Sequence, residues 1–134
     1  MSFTLGKEER LKSRKSIEIL FREAKAVRSP ALLVLFHIPT INAEQRLQAM
    51  FTVSKKNFKR AHDRNAIKRC LRECYRLQKN ILNEAPVPLH LCLTFTGKQL
   101  PEYDYVFKKV GAALTEIDRI IKLPPKDEVA PQEK

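Results

Sequence analysis

Between Ser54 and Lys79 the chain places ten basic side chains against two acids, a net of +8 out of +11 for all 134 residues. The same stretch carries an apolar stripe. At about 100° per residue, Ile67, Cys70, Leu71, Cys74, Leu77 and Ile81 share one face of a helix ending near Asn83. Arg64, Asn65, Lys68, Arg69, Arg72, Arg76 and Lys79 fall on the opposite side. Such a helix docks on a core through one face and presents a dense cationic face to something anionic. Any fold for this chain has to seat that helix at its surface.

The remaining segments read as its support. Residues 7–25 have Leu11, Ile17, Leu20 and Phe21 at helical spacing, with Ser13 or Ser16 as the cap. Ser29-Pro30 interrupts that helix. Residues 31–38 and 46–53 read as strands, and a polar connection between them suggests an antiparallel pair. Leu89, Leu91, Leu93 and Phe95 alternate with His90, Cys92 and Thr94, a strand over 89–95. A last helix is expected over 103–121, carried by Val106, Phe107, Val110, Leu114, Ile117 and Ile121. The reading is an α/β (α+β) two-layer sandwich in the order α-β-β-α-β-α. It forms one domain over residues 1–123, with a flexible tail at 124–134.

Composition narrows the chemistry. The charge lies in two blocks, +4 over residues 1–28 and +8 over the central segment, whereas residues 80–134 sum to −1. That distribution points to a polyanionic partner rather than to general solubility. No apolar run approaches the roughly 18 residues that span a bilayer, and the first residues lack the apolar core of a secretory signal, so the expected location is cytoplasmic with no membrane partner. Three cysteines without a CxxC pair suggest neither a disulfide framework nor a zinc ribbon. Cys70 and Cys74 lie on the apolar stripe and read as core. His37, His62 and His90 are scattered, and three glycines leave no phosphate-cradling loop. No catalytic residues, metal ligands or small-molecule substrate are expected. Asp63 and Glu73 stand ten residues apart, too far to act as paired carboxylates. Glu73 reads as an intrahelical partner of Arg69 or Arg76.

Arg64, Lys68 and Arg72 recur every four residues, a row about 6 Å apart, with Asn65 and Arg69 beside them. This is a comb for phosphates on a folded nucleic acid. The run Lys55-Lys56, Lys59-Arg60-Ala61-His62, Arg64-Asn65, Lys68-Arg69 and Arg72-Glu73 resembles the signature of the bacterial ribonuclease P protein component. Arg10-Leu11-Lys12 with Phe21, and Phe51 to Lys56, resemble the flanking parts of that family, over about residues 5–121. The resemblance implies a protein subunit that binds a catalytic RNA and the 5′ leader of precursor tRNA and assists removal of the leader. It also implies that the RNA is the catalyst and holds the Mg²⁺. By that resemblance Lys55, Lys56, Lys59, Arg60, Arg64, Asn65, Lys68, Arg69 and Arg72 contact the RNA. Ile17, where the family commonly has an aromatic, and Phe21 face the leader. The family's β-α-β crossover through the basic helix is left-handed. A structured-RNA-binding protein of ribosomal type, without a processing role, is the alternative that the charge pattern leaves open.

Overall fold

The computed structural model describes residues 10–39, 47–82 and 88–122; the tail expected at 124–134 lies outside them. Helix α1 spans Arg14–Glu23, shorter than its apolar periodicity suggests. Ser13 is the cap, its hydroxyl accepting from the Ser16 N–H at 3.2 Å. Before it, Arg10 and Leu11 run extended beside Ala49, with the Leu11 N–H donating to the Ala49 carbonyl at 2.9 Å. That part of the expected helix is therefore tied to the sheet.

The helix stops at Glu23 because the next residues form a strand that the sequence reading omits. Strand β1 (Lys25–Ser29) pairs antiparallel with β2 (Leu32–His37) through the two-residue turn Pro30-Ala31. Proline at the first central position and Ala31 at φ 71 at the second match the needs of a type II turn. Ser29-Pro30 thus closes a hairpin and does not end a helix.

Strands β3 (Leu47–Val53) and β4 (Leu89–Phe95) complete a four-stranded mixed sheet in the order β1-β2-β4-β3. The expected pairing of residues 31–38 with 46–53 does not occur. Strand β4 lies between them, antiparallel to β2 and parallel to β3. Burial explains the order: six of the seven residues of β4 are buried, including those on both its faces, and a central position is the one that covers both faces of a strand. The complete order is α-β-β-β-α-β-α.

Helices cover the sheet on both sides, where the sequence suggested two layers. Leu32, Val34, Phe36, Ala49, Leu89, Leu91, Leu93 and Phe95 pack against α2 (Ala61–Gln78) and α3 (Tyr103–Ile121). On the opposite face Leu35, Met50 and Cys92 meet Leu11, Ile17 and Leu20 of the α1 segment. Each buried leucine removed from water contributes about 2 kcal/mol. In α2 the buried face is Ile67, Leu71, Cys74 and Tyr75. Tyr75, which the sequence stripe leaves out, packs edge-on to Phe51 at 5.7 Å. Lys79, expected on the cationic side, is only 6% exposed. The α-helical period ends at Gln78 and the chain tightens into a 3₁₀ turn, Lys79–Leu82, whose three residues per turn rotate Lys79 inward.

Helices α2 and α3 approach closely at Gly111. The Gln78 amide group donates to the Phe107 carbonyl at 2.9 Å and to the Cys74 carbonyl at 3.2 Å, bridging the two helices. A β-carbon on Gly111 would collide with Gln78 Oε1. Alanine should gain about 1 kcal/mol of helix propensity here, but the collision and the broken bridge outweigh it. Gly111→Ala is expected to destabilise the protein by about 1–2 kcal/mol, and in a Gln78→Ala background the same change should become neutral or stabilising. Urea unfolding of the four proteins measures this coupling; additive effects would contradict the packing described.

Candidate nucleic-acid interface

The basic segment begins as a loop, residues 54–60, whose shape is fixed from within. The Ser54 hydroxyl accepts from the Lys56 N–H at 3.2 Å, and the Phe58 N–H donates to the Ser54 carbonyl at 3.1 Å. Asn57 reaches across the sheet end, its amide donating to the Thr96 and Gly97 carbonyls at 3.2 Å each. Phe58 is buried with its ring 6.0 Å from that of Phe95. Lys55, Lys56, Lys59 and Arg60 are exposed around this anchor. Four cations are therefore carried on a rigid support.

Arg64 connects loop and helix. Its guanidinium donates to the Phe58 carbonyl at 2.8 Å and to the Lys59 carbonyl at 2.9 Å. The sequence puts Arg64 wholly on the cationic face; the structure has it half-buried at the edge, fastening the loop. The first turn of α2 has no side-chain cap at Arg60, and Asp63 sits there in favourable relation to the helix dipole. Further along, Asn65 and Arg69 are exposed, and Lys68 and Arg72 half-buried.

Not every base of the segment is available. Arg76 is bound to Glu73 by two hydrogen bonds, one of them Nε to Oε1 at 3.0 Å. That bond holds the Glu73 carboxyl below its usual range, so Glu73 is the ionised partner of Arg76. Asp63 lies about 15 Å along the helix from it. With Lys79 buried and Arg64 engaged, seven cations remain whose side chains have no partner among the described residues: Lys55, Lys56, Lys59, Arg60, Lys68, Arg69 and Arg72. Their mutual repulsion is relieved by an anionic partner. Lys98, which the sequence reading overlooks, joins them. It lines a hollow of about 560 Å³ together with Ser54, Lys56, Asn57 and Thr96. Nothing in its local sequence marks it; the Asn57 bonds to Thr96 and Gly97 bring the two loops together.

The cysteines belong to the packing. Cys74 is buried and its thiol is pushed up to about 12, by burial first and then by Cys70. Burial also raises Cys70 and Cys92. Among the described residues no three histidine, cysteine or carboxylate groups cluster to hold a metal ion.

A second surface lies on the α1 side of the sheet. Ile17 is half-buried in the Leu11–Leu20–Cys92 cluster, so it is engaged in holding α1 down. Phe21 is 54% exposed, free to meet a planar partner. On the same face beyond Met50 and Cys92, the Thr52 and Thr94 hydroxyls hydrogen-bond at 2.8 Å.

Residues 5–118 match the family model Ribonuclease P. The Ribonuclease P protein component of Porphyromonas gingivalis is 32% identical over 120 residues, covering 87% of this chain and 88% of that protein. In fold the chain is similar to the RNase P protein from Thermotoga maritima, with a TM-score of 0.66 at 23% identity over 81% of this chain and 96% of that one. It is also similar to the Staphylococcus aureus RNase P protein, with a TM-score of 0.57 at 20% identity over 85% and 95%.

The two arginines differ in what they hold. Arg69→Ala should weaken binding to a structured RNA and lower the slope of log K against log salt by about one, without changing thermal stability. Arg64→Ala should in addition lower Tm by about 3–5 °C, the equivalent of about 1 kcal/mol of charge-assisted hydrogen bonding. It should also speed amide exchange at Phe58. Equal melting of both variants would show that Arg64 does not fasten the loop.

Proposed function

Because the chain belongs to the family of ribonuclease P protein components, we propose that its basic loop and α2 dock on the catalytic RNA while the α1 side of the sheet receives the 5′ leader. The chain is the protein subunit of ribonuclease P, an RNA-catalysed endoribonuclease; it binds the ribonuclease P RNA and assists 5′ processing of precursor tRNA. The observation that carries the division of surfaces is the anchored loop. A rigid row of unpaired cations binds phosphates without first having to order itself.

In this reading Lys55, Lys56, Lys59 and Arg60 reach the catalytic RNA from the loop, and Asn65, Lys68, Arg69 and Arg72 from the helix. Arg64 keeps the loop in place and adds its charge. Phe21 stacks on an unpaired base of the leader, and Ile17 supports the helix that carries it and flanks the strand. Mg²⁺ is held mainly by the RNA, and the protein supplies the positive field that lets less of it suffice. The resemblance to the family supports a left-handed β3-α2-β4 crossover. The described residues share one four-stranded sheet and act as a single unit. Among the described residues no helix is long and apolar enough to cross a membrane, and a cytoplasmic site of action fits a partner made of RNA.

Reconstitution tests the reading. With a ribonuclease P RNA at low Mg²⁺ the chain should accelerate leader removal from precursor tRNA; no acceleration over RNA alone would overturn it. Phe21→Ala should reduce the preference for precursor over mature tRNA about tenfold, the worth of one base–aromatic stack. Affinity for the catalytic RNA should stay unchanged. An equal loss for both tRNAs would exclude a leader contact at Phe21.

A further inference from the structure

Where β4 runs on into α3, a hollow of about 470 Å³ opens at the end of the sheet. The Phe95 ring forms part of its wall, and Gly97 lets the loop lie close over that ring; a β-carbon there would come within 2.7 Å of it. Leu100 and Tyr105 also line the hollow and are 58% and 42% exposed. Single exposed apolar residues need no explanation, but these two share one concavity. Tyr105 is moreover held in place. Its hydroxyl donates to the Pro30 carbonyl at 3.4 Å, and the Lys109 ammonium stands 5.4 Å from the centre of its ring. An exposed ring fixed in this way can stack on a flat partner without first losing rotamer freedom.

Two charges of opposite sign, Lys98 and Glu102, complete the lining. They do not pair with each other, and neither side chain has another hydrogen-bond or ion-pair partner among the described residues. Glu102 stands at the N-cap of α3, yet its carboxylate makes no capping bond. Both groups are therefore available to a ligand that has an anionic part, a flat part and an edge rich in donors.

We propose that this hollow receives one unpaired guanine of the catalytic RNA. Continuity identifies the polymer. Lys98 also lines the neighbouring hollow with Lys56 and Asn57, so the site extends the basic loop, and the proposal rests on the reading that this loop docks on the catalytic RNA. Phe95 belongs to the α2–α3 face of the sheet, whereas α1 and its Phe21 lie on the other. Lys98 takes a phosphate, and the base turned out beside it lies against Tyr105, as unstacked bases of loops and bulges do on aromatic side chains. Glu102 then selects the base. Guanine presents two adjacent donors, N1–H and the N2 amino group, to the two oxygens of a carboxylate, which only accept. Adenine and cytosine place a ring acceptor against it, and uracil flanks its one N–H with two carbonyls.

Kethoxal, which adds across N1 and N2 of unpaired guanine, tests this on ribonuclease P RNA in the reconstituted holoenzyme. One guanine should be protected by the parent chain, exposed again with Tyr105→Leu, and protected once more with Tyr105→Phe. Tyr105→Leu should weaken RNA binding about tenfold, the worth of one base–aromatic stack, with the salt slope unchanged because no phosphate contact is lost. Lys98→Ala should lower that slope by about one. Glu102→Gln disturbs no bond within the protein, so it carries the test even if the tyrosine variant melts early. Removing a negative charge beside RNA would otherwise tighten binding; here it should weaken it about fivefold, through the lost two-point contact to guanine. Tighter binding by Glu102→Gln would overturn the guanine assignment. Normal RNA binding with no guanine released by either variant would leave the hollow to some other partner and overturn the proposal alone. A chain that failed to bind the RNA at all would remove the functional reading as well.

Discussion

Phe58 buried against Phe95 is the contact on which the cationic surface depends. Like charges crowded on a loop tend to spread it, and the only means of holding them together without neutralising them is to fix the backbone beneath. One buried aromatic, the Asn57 bonds to Thr96 and Gly97, and the Arg64 bonds to the Phe58 and Lys59 carbonyls do this. All three join the loop to groups that are already rigid: the end of β4 and the first turn of α2. The charges stay unpaired while their positions stay defined.

The central position of β4 separates the two working surfaces. Since β4 is parallel to β3, the chain must cross over between them, and α2 is that crossover. It lies with α3 on one face of the sheet, while α1 takes the other. One side therefore carries the cationic loop and α2, and the other is left open for the separate contact proposed above. The Gln78 bridge at Gly111 keeps α2 and α3 as one unit.

Much of this was legible in the chain. The cationic density of α2, the alternation in β4 and the periodicity of α3 all gave elements with close to the observed bounds. What escaped had physical reasons. Strand β1 is short and on an edge, and with most of its residues exposed it shows no alternation to detect. The β2–β4 pairing is non-local, and nothing in a linear pattern says that a later strand will insert between two earlier ones. Lys79 and Arg64 were placed by extending an ideal helix; the 3₁₀ turn rotated the first, and two loop carbonyls captured the second. Lys98 entered the site through contacts that its own neighbours do not encode. The signature residues named the family, but only side-chain hydrogen bonds distinguish a cation offered to RNA from one holding the protein together.

The short hairpin strand β1 has a bearing on the protein before its RNA arrives. It forms one border of the sheet, and an open border offers unpaired backbone groups to any other strand. Here that border is five residues long, carries exposed Lys25 and Arg28, and ends at Pro30, which has no N–H to give. Two copies meeting edge to edge would bring lysine and arginine against lysine and arginine. The composition of this border therefore disfavours edge-to-edge pairing of free subunits through β1.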